Sequence, residues 1–125
     1  MKQLTVEQVL RLHARLIDRF GGAPGVRDTG ALDAALARPF AAFGGFEAFP
    51  SVAEKAAALL HGLVTSHAFI DGNKRVALAA TLVWLEVNGH GLALDAEQRY
   101  QLTMRVADGS LGMTALTTLL REAIA

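Results

Sequence analysis

The chemistry of this chain concentrates in nine residues, HAFIDGNKR at positions 67–75, set within an otherwise apolar sequence. A helix that starts at this point has first amide hydrogens without intrahelical partners, and with the helix dipole they make a site for phosphate oxygens. Gly72 lets the backbone come close to a phosphate. Lys74 and Arg75 add two positive charges at a helix end that is already positive, which suits an anion and is electrostatically uphill without one. Asp71 either pairs with Arg75 four residues on or holds a divalent cation against a polyphosphate. His67, ending the preceding helix, is placed to take a proton from an attacking hydroxyl over the same anion site.

Each residue also has a plainer reading. His67 serves as a helix C-cap or core histidine, Asp71 and Gly72 form an ordinary turn, Asn73 is a cap, and Lys74 with Arg75 is a solvated face. Phe69, two residues past a helix end, reads as an anchor for the loop. His13 lies on an apolar stripe and reads as structural, as does His90 after an Asn-Gly stop. His61 lies six residues before His67 and is turned away from it, so the two do not read as a metal pair.

The elements that must position this run are helical. Val6, Val9, Leu10, His13, Leu16, Ile17 and Phe20 recur at helical spacing over residues 5–20, with Thr5 as N-cap and Gly21-Gly22 as the stop. The turn-rich GGAPGVRDTG leads to a short helix over residues 31–38, closed by Pro39. Residues 40–49 carry Phe40, Phe43, Phe46 and Phe49 around Gly44-Gly45, a period that fits neither a strand nor a long helix, and read as a flap. Ser51 with Glu54 predicts a capping box for a helix from Val52 to the region of His67. A further helix over residues 73–87 has apolar residues around nearly its whole circumference, which predicts the central buried helix. Asp95 caps a helix to about Ala107, and a last one begins near Thr114. The expectation is an all-α bundle of about six helices in one domain, residues 1–125.

Composition narrows the function classes. Among 125 residues, 52% are hydrophobic and 19% charged, which fits a globular fold. Twelve basic residues balance twelve acidic ones, so no global field recommends nucleic acid or an anionic membrane. Cysteine is absent, which removes disulfides and thiolate metal ligands. The N-terminal run lacks the apolar core of a signal peptide, and no long uncharged apolar run occurs, so a cytoplasmic location is expected.

The run HAFIDGNKR resembles the signature of the Fic/Doc superfamily, specifically its Doc ("death on curing") toxin branch. GVRDTGALDAAL at 25–36 and SVAEKAAALLHGLVTSHAF at 51–69 extend the resemblance over most of the chain. Lys74 stands where the adenylyl-transferring Fic branch has the second glycine of Gly-Asn-Gly-Arg, as in Doc-like members, while Gly72 matches the Fic form better than some Doc sequences. The resemblance implies a compact bundle with an upstream flap, and transfer of the terminal phosphoryl group of ATP to a protein threonine, with elongation factor Tu as the target and translation inhibited. It makes His67 the general base, Asp71 the carboxylate that assists Mg2+ or positions the base, and Gly72, Asn73, Lys74 and Arg75 the polyphosphate site. Phe43, Gly44, Gly45 and Phe46 become the target-docking flap, against a plainer reading as a hydrophobic lid.

Some Fic-like proteins carry an internal inhibitory helix whose first spacing Thr118 and Glu122 match, but Ala123 does not continue it, and the resemblance then implies an antitoxin in trans whose C-terminal segment folds on binding. Arg27 and Asp28 read as local ion pairing that pins the connector. Two alternatives compete with the kinase: a Fic-type adenylyltransferase using the same base and clamp, and a non-catalytic nucleotide- or protein-binding module.

Overall fold

A computed structural model describes residues 1–125, and its elements begin where side chains satisfy orphan amides. Thr5 accepts from the Gln8 amide at 3.1 Å while the Gln8 side chain accepts from the Thr5 amide, opening α1 (Val6–Phe20). Asp28 accepts from the Ala31 amide and opens α2 (Thr29–Ala37), two residues earlier than the apolar pattern suggested. A 3₁₀ turn, Arg38–Phe40, follows around the buried Pro39. Ser51 opens α3 (Val52–Ser66) by accepting from the Glu54 amide. The expected capping box there is only half formed, because the Glu54 carboxylate takes the Ser51 hydroxyl instead of the Ser51 amide. The remaining helices are α4 (Asn73–Val87), α5 (Ala96–Ala107), opened by a full Asp95/Gln98 box, and α6 (Met113–Ala123).

The central helix is α3, which corrects the expectation that α4 would be. Ten of its residues are buried, and it packs against α2, α4, α5 and α6. The physical reason is size: Ala53, Ala56, Ala57, Ala58 and Gly62 let neighbours approach α3 from all sides, whereas a periodicity count rewards large residues. On α4, Val76, Ala77, Ala80, Thr81, Trp84 and Leu85 are buried while Val83 and Val87 face solvent. Trp84 is 1% exposed and its indole donates to the Lys2 carbonyl, so the segment before α1 is tied to the bundle.

The flap expected over residues 40–49 is a hairpin. β1 (Ala42–Phe43) pairs antiparallel with β2 (Phe46–Glu47), the only strand pair in an otherwise helical fold. Gly44 and Gly45 adopt φ 56° and 87°, the left-handed pair required by a tight two-residue hairpin turn, and this turn chemistry outranks the three-residue phenylalanine spacing. No helix is long and apolar enough to cross a membrane.

His61 ends up against Arg38, whose Nη1 lies 3.0 Å from Nδ1. Burial, and then the Arg38 charge, hold the His61 imidazole below its ordinary value. The unfolded chain therefore binds more protons between the depressed value and the ordinary one of about 6.5, so stability rises with pH through that window. The thermal midpoint is expected to fall as pH is lowered from about 7.5 through 6.5, and His61→Gln should flatten that part of the profile.

Candidate active site

The loop between α3 and α4 is built around two buried residues, Ala68 and Phe69. Phe69 stacks on His13 of α1 with ring centroids 3.9 Å apart and planes 14° from parallel. His13 is itself buried and its Nε2 lies 2.7 Å from the Asp71 carbonyl, so Nε2 carries the hydrogen and donates. His13 is thus structural, as its stripe position suggested, and its structural task is to hold the motif. The Asn73 side chain closes the loop from the other side, accepting from the Phe69 amide and donating to the Phe69 carbonyl, both at 2.9 Å. What Asn73 leaves facing the site is its backbone amide.

A second segment clasps the same loop. The Ile70 amide donates to Gly25, the Arg27 and Asp28 amides both donate to the Ala68 carbonyl, and Val26 and Phe69 form an isolated antiparallel bridge. The Ala23 amide reaches the Asp71 carboxylate at 3.1 Å. Gly22 makes this approach possible: a Cβ there would lie 2.7 Å from Asp71 Oδ2, at a φ of 113°. The connector read from sequence as a turn-rich spacer is a cradle for the motif. The ion pairing expected of Arg27 does not form; its guanidinium donates to the His67 and Ser66 carbonyls.

Backbone donors set the electrostatics of Asp71. The Ala23 amide, and after it the Gly72 amide at 2.8 Å, hold its carboxyl below the usual carboxylate range, with Arg75 and His13 adding in the same direction. Asp71 does not ion-pair with Arg75, the first of the two options left open above. The Arg75 guanidinium lies over the Phe20 ring, 4.9 Å from its centroid. Lys74 and Arg75 are exposed and lack carboxylate partners, at a helix start whose cap, Gly72, supplies no side-chain acceptor. The amides of residues 73–75 and both cations therefore face an opening with no counter-charge of their own beyond Asp71.

Two cavities meet at this helix start. One, of about 280 Å³, is bordered by His67, Thr65, Ile70 and residues 71–74; the other, of about 400 Å³, by residues 71–75 with Leu78, Tyr100, Thr103 and Met104. The structure thus brings His67, Asp71, Gly72, Asn73 and Lys74 to one wall, with Arg75 on the second cavity only. The sequence does not single out the α5 side: Tyr100, 55% exposed, and Met104 both line the larger cavity. Nothing in their spacing marks them, because the cavity arises where α5 crosses α4. No group of three or more metal-ligating side chains exists, so a hard cation here would take one carboxylate, Asp71, and complete its shell with phosphate and water oxygens.

The flap lies apart from this wall in its contacts. Phe43 and Phe46 are 73% and 80% exposed at the hairpin tip. The hairpin is held by Lys55 of α3, a residue only 3% exposed, whose ammonium donates to Glu47 at 3.0 Å and to the Phe49 carbonyl and lies over the Phe40 ring. No local pattern around Lys55 marks it as a buried cation. Lys55→Ala is expected to cost about 2 kcal/mol from lost packing and the stranded carbonyl. Amide exchange across residues 41–49 should rise far more than in α3, which hydrogen-exchange mass spectrometry would read.

A model of the Fic/DOC family matches residues 3–85. The chain is 54% identical over 76 residues to "Toxin Doc" of Mycolicibacterium smegmatis, a match covering 61% of this chain and 58% of that protein. It is 31% identical over 122 residues to "Protein kinase doc" of Escherichia phage P1, covering 98% of this chain and 95% of that protein.

Proposed function

The chain belongs to the Fic/DOC family, in its Doc toxin branch, and on that premise we propose that it is a protein-hydroxyl kinase. It moves the terminal phosphoryl group of ATP to a threonine hydroxyl of a protein target, elongation factor Tu, and so inhibits translation. The observation that supports this best is that His67 and the uncapped start of α4 border one cavity, with Asp71 between them.

His67 accepts the proton of the threonine hydroxyl, the new bond forms between that oxygen and the terminal phosphorus, and the bond to the bridging oxygen breaks to release ADP. The amides of residues 73–75 and the Lys74 and Arg75 side chains hold the phosphate oxygens and stabilise the charge that gathers on them. Asp71, a carboxylate whose ionised form its two amide donors favour further, fits a Mg2+ ion, which when bound would supply further neutralisation of the phosphate charge. The cavity toward Tyr100, Thr103 and Met104 is large enough for part of a nucleotide. Phe43, Gly44, Gly45 and Phe46 dock the target by their exposed edge and rings. A single domain over residues 1–125 acts in the cytoplasm and is neutralised by an antitoxin whose C-terminal segment folds on binding.

Intact-protein mass spectrometry of elongation factor Tu incubated with this protein, ATP and magnesium tests the reading. Addition of one phosphoryl group is expected. Addition of a nucleotidyl group would replace the kinase with an adenylyltransferase, and nucleotide binding without modification would favour the binding module.

A further inference from the structure

His67 is the only non-glycine residue with a positive φ, at φ 49° and ψ 42°. A left-handed conformation in a residue with a Cβ persists only where its surroundings over-determine it. The His67 side chain makes no hydrogen bond, so the constraint lies in the backbone around it. That backbone is gripped by one residue. Arg27 Nε donates to the His67 carbonyl at 2.7 Å, its Nη2 to the Ser66 carbonyl at 3.4 Å, and its own amide to the Ala68 carbonyl at 2.8 Å. Three consecutive carbonyls are thus held by a single arginine, the only cation in the connector.

The chemistry suits an arginine. The carbonyls of Ser66 and His67 end α3 and have no intrahelical partners, and a cation there opposes the negative end of the helix dipole. A planar fork with fixed donors sets the direction of the peptide that it binds, which a single ammonium does not. Turning the peptide after His67 changes where its Cβ points, and with it the reach of the imidazole into the cavity that it borders with residues 71–74.

We propose that Arg27 is a positioning residue which, by holding the carbonyls around His67, locks that residue in its left-handed conformation and aims the imidazole at the phosphate site. The proposal rests on His67 being the base. Arg27 borders neither cavity, so its loss should appear in the orientation of His67 and in kcat.

The first test needs no turnover. The ¹³Cα and carbonyl ¹³C shifts of His67 are measured by NMR in the wild type, Arg27→Ala and Arg27→Lys. Left-handed values are expected in the wild type, their loss or exchange broadening in Arg27→Ala, and partial recovery in Arg27→Lys. Unchanged His67 shifts in Arg27→Ala would overturn the proposal. Should Arg27→Ala not fold, Arg27→Gln and Arg27→Lys carry the same comparison. In the transfer assay, Arg27→Ala should lower kcat by about 10²-fold, the scale of a misplaced catalytic group, with the KM for ATP nearly unchanged. A change confined to that KM would also overturn it. If instead His67→Ala retains transfer, the assignment of the base fails, and the NMR comparison still judges the grip of Arg27 on the loop.

Discussion

His67→Ala is expected to reduce phosphoryl transfer by about 10² to 10⁴-fold, the contribution of a positioned general base, while leaving nucleotide binding largely intact. The separation follows from geometry. The amides of residues 73–75 and the Lys74 and Arg75 cations sit on α4, whereas His67 caps α3, so removing the imidazole leaves the anion site in place. Stability should move in the opposite sense for one substitution. Because His67 sits at φ 49°, His67→Gly relieves the left-handed strain and should be more stable than His67→Ala by about 1 kcal/mol, though equally inactive. Isothermal titration with ATP, steady-state transfer and chemical denaturation on the three proteins would check the pattern. Retained transfer in both variants would remove His67 from the mechanism.

Phe69→Ala is expected to have the largest effect on stability, a loss of about 3–5 kcal/mol. Phe69 is 2% exposed, stacks on His13, and its backbone is paired to the Asn73 side chain and bridged to Val26. Truncation opens a cavity directly beneath the motif and removes the surface against which His13 is oriented for the Asp71 carbonyl. Since a domain of this kind has a total stability of about 5–15 kcal/mol, such a loss takes a large share of it. Urea unfolding should show a lower midpoint with an unchanged slope, and transfer should fall even where the variant remains folded. Phe69→Leu, which keeps most of the volume, should recover most of the stability but not the stack. If Phe69→Ala cost less than about 1 kcal/mol, the loop would not be anchored as described.

How much of this was legible beforehand differs between elements. The caps at Thr5 and Asp95 were legible because a side chain three residues from its target needs only local geometry. The extent of the motif helix, residues 73–87, was legible from its apolar run and Asn-Gly stop, whereas the plainer reading of Asn73 as its cap gives way to Gly72 at the cap position. The flap was legible, but its two short strands were not, because a phenylalanine period competed with a two-glycine turn and the turn decides the backbone. The central helix was misread because alanines, which permit close approach, score low in an apolar pattern.

By itself the sequence determined the residues able to do chemistry, in order: a histidine at a helix end, a carboxylate, and amides with two cations at a helix start. It also determined the helical class, since capping and 3.6-residue periodicity are short-range properties. Only the tertiary structure decided what holds those residues in place. His13 and Phe69 meet across 56 positions, Arg27 reaches His67 across 40, and Ala23 reaches Asp71 across 48. Tyr100 borders the cavity only because α5 crosses α4. Such contacts depend on how helices cross and on where a connector returns, and no local pattern encodes that, because many crossings bury the same apolar stripe.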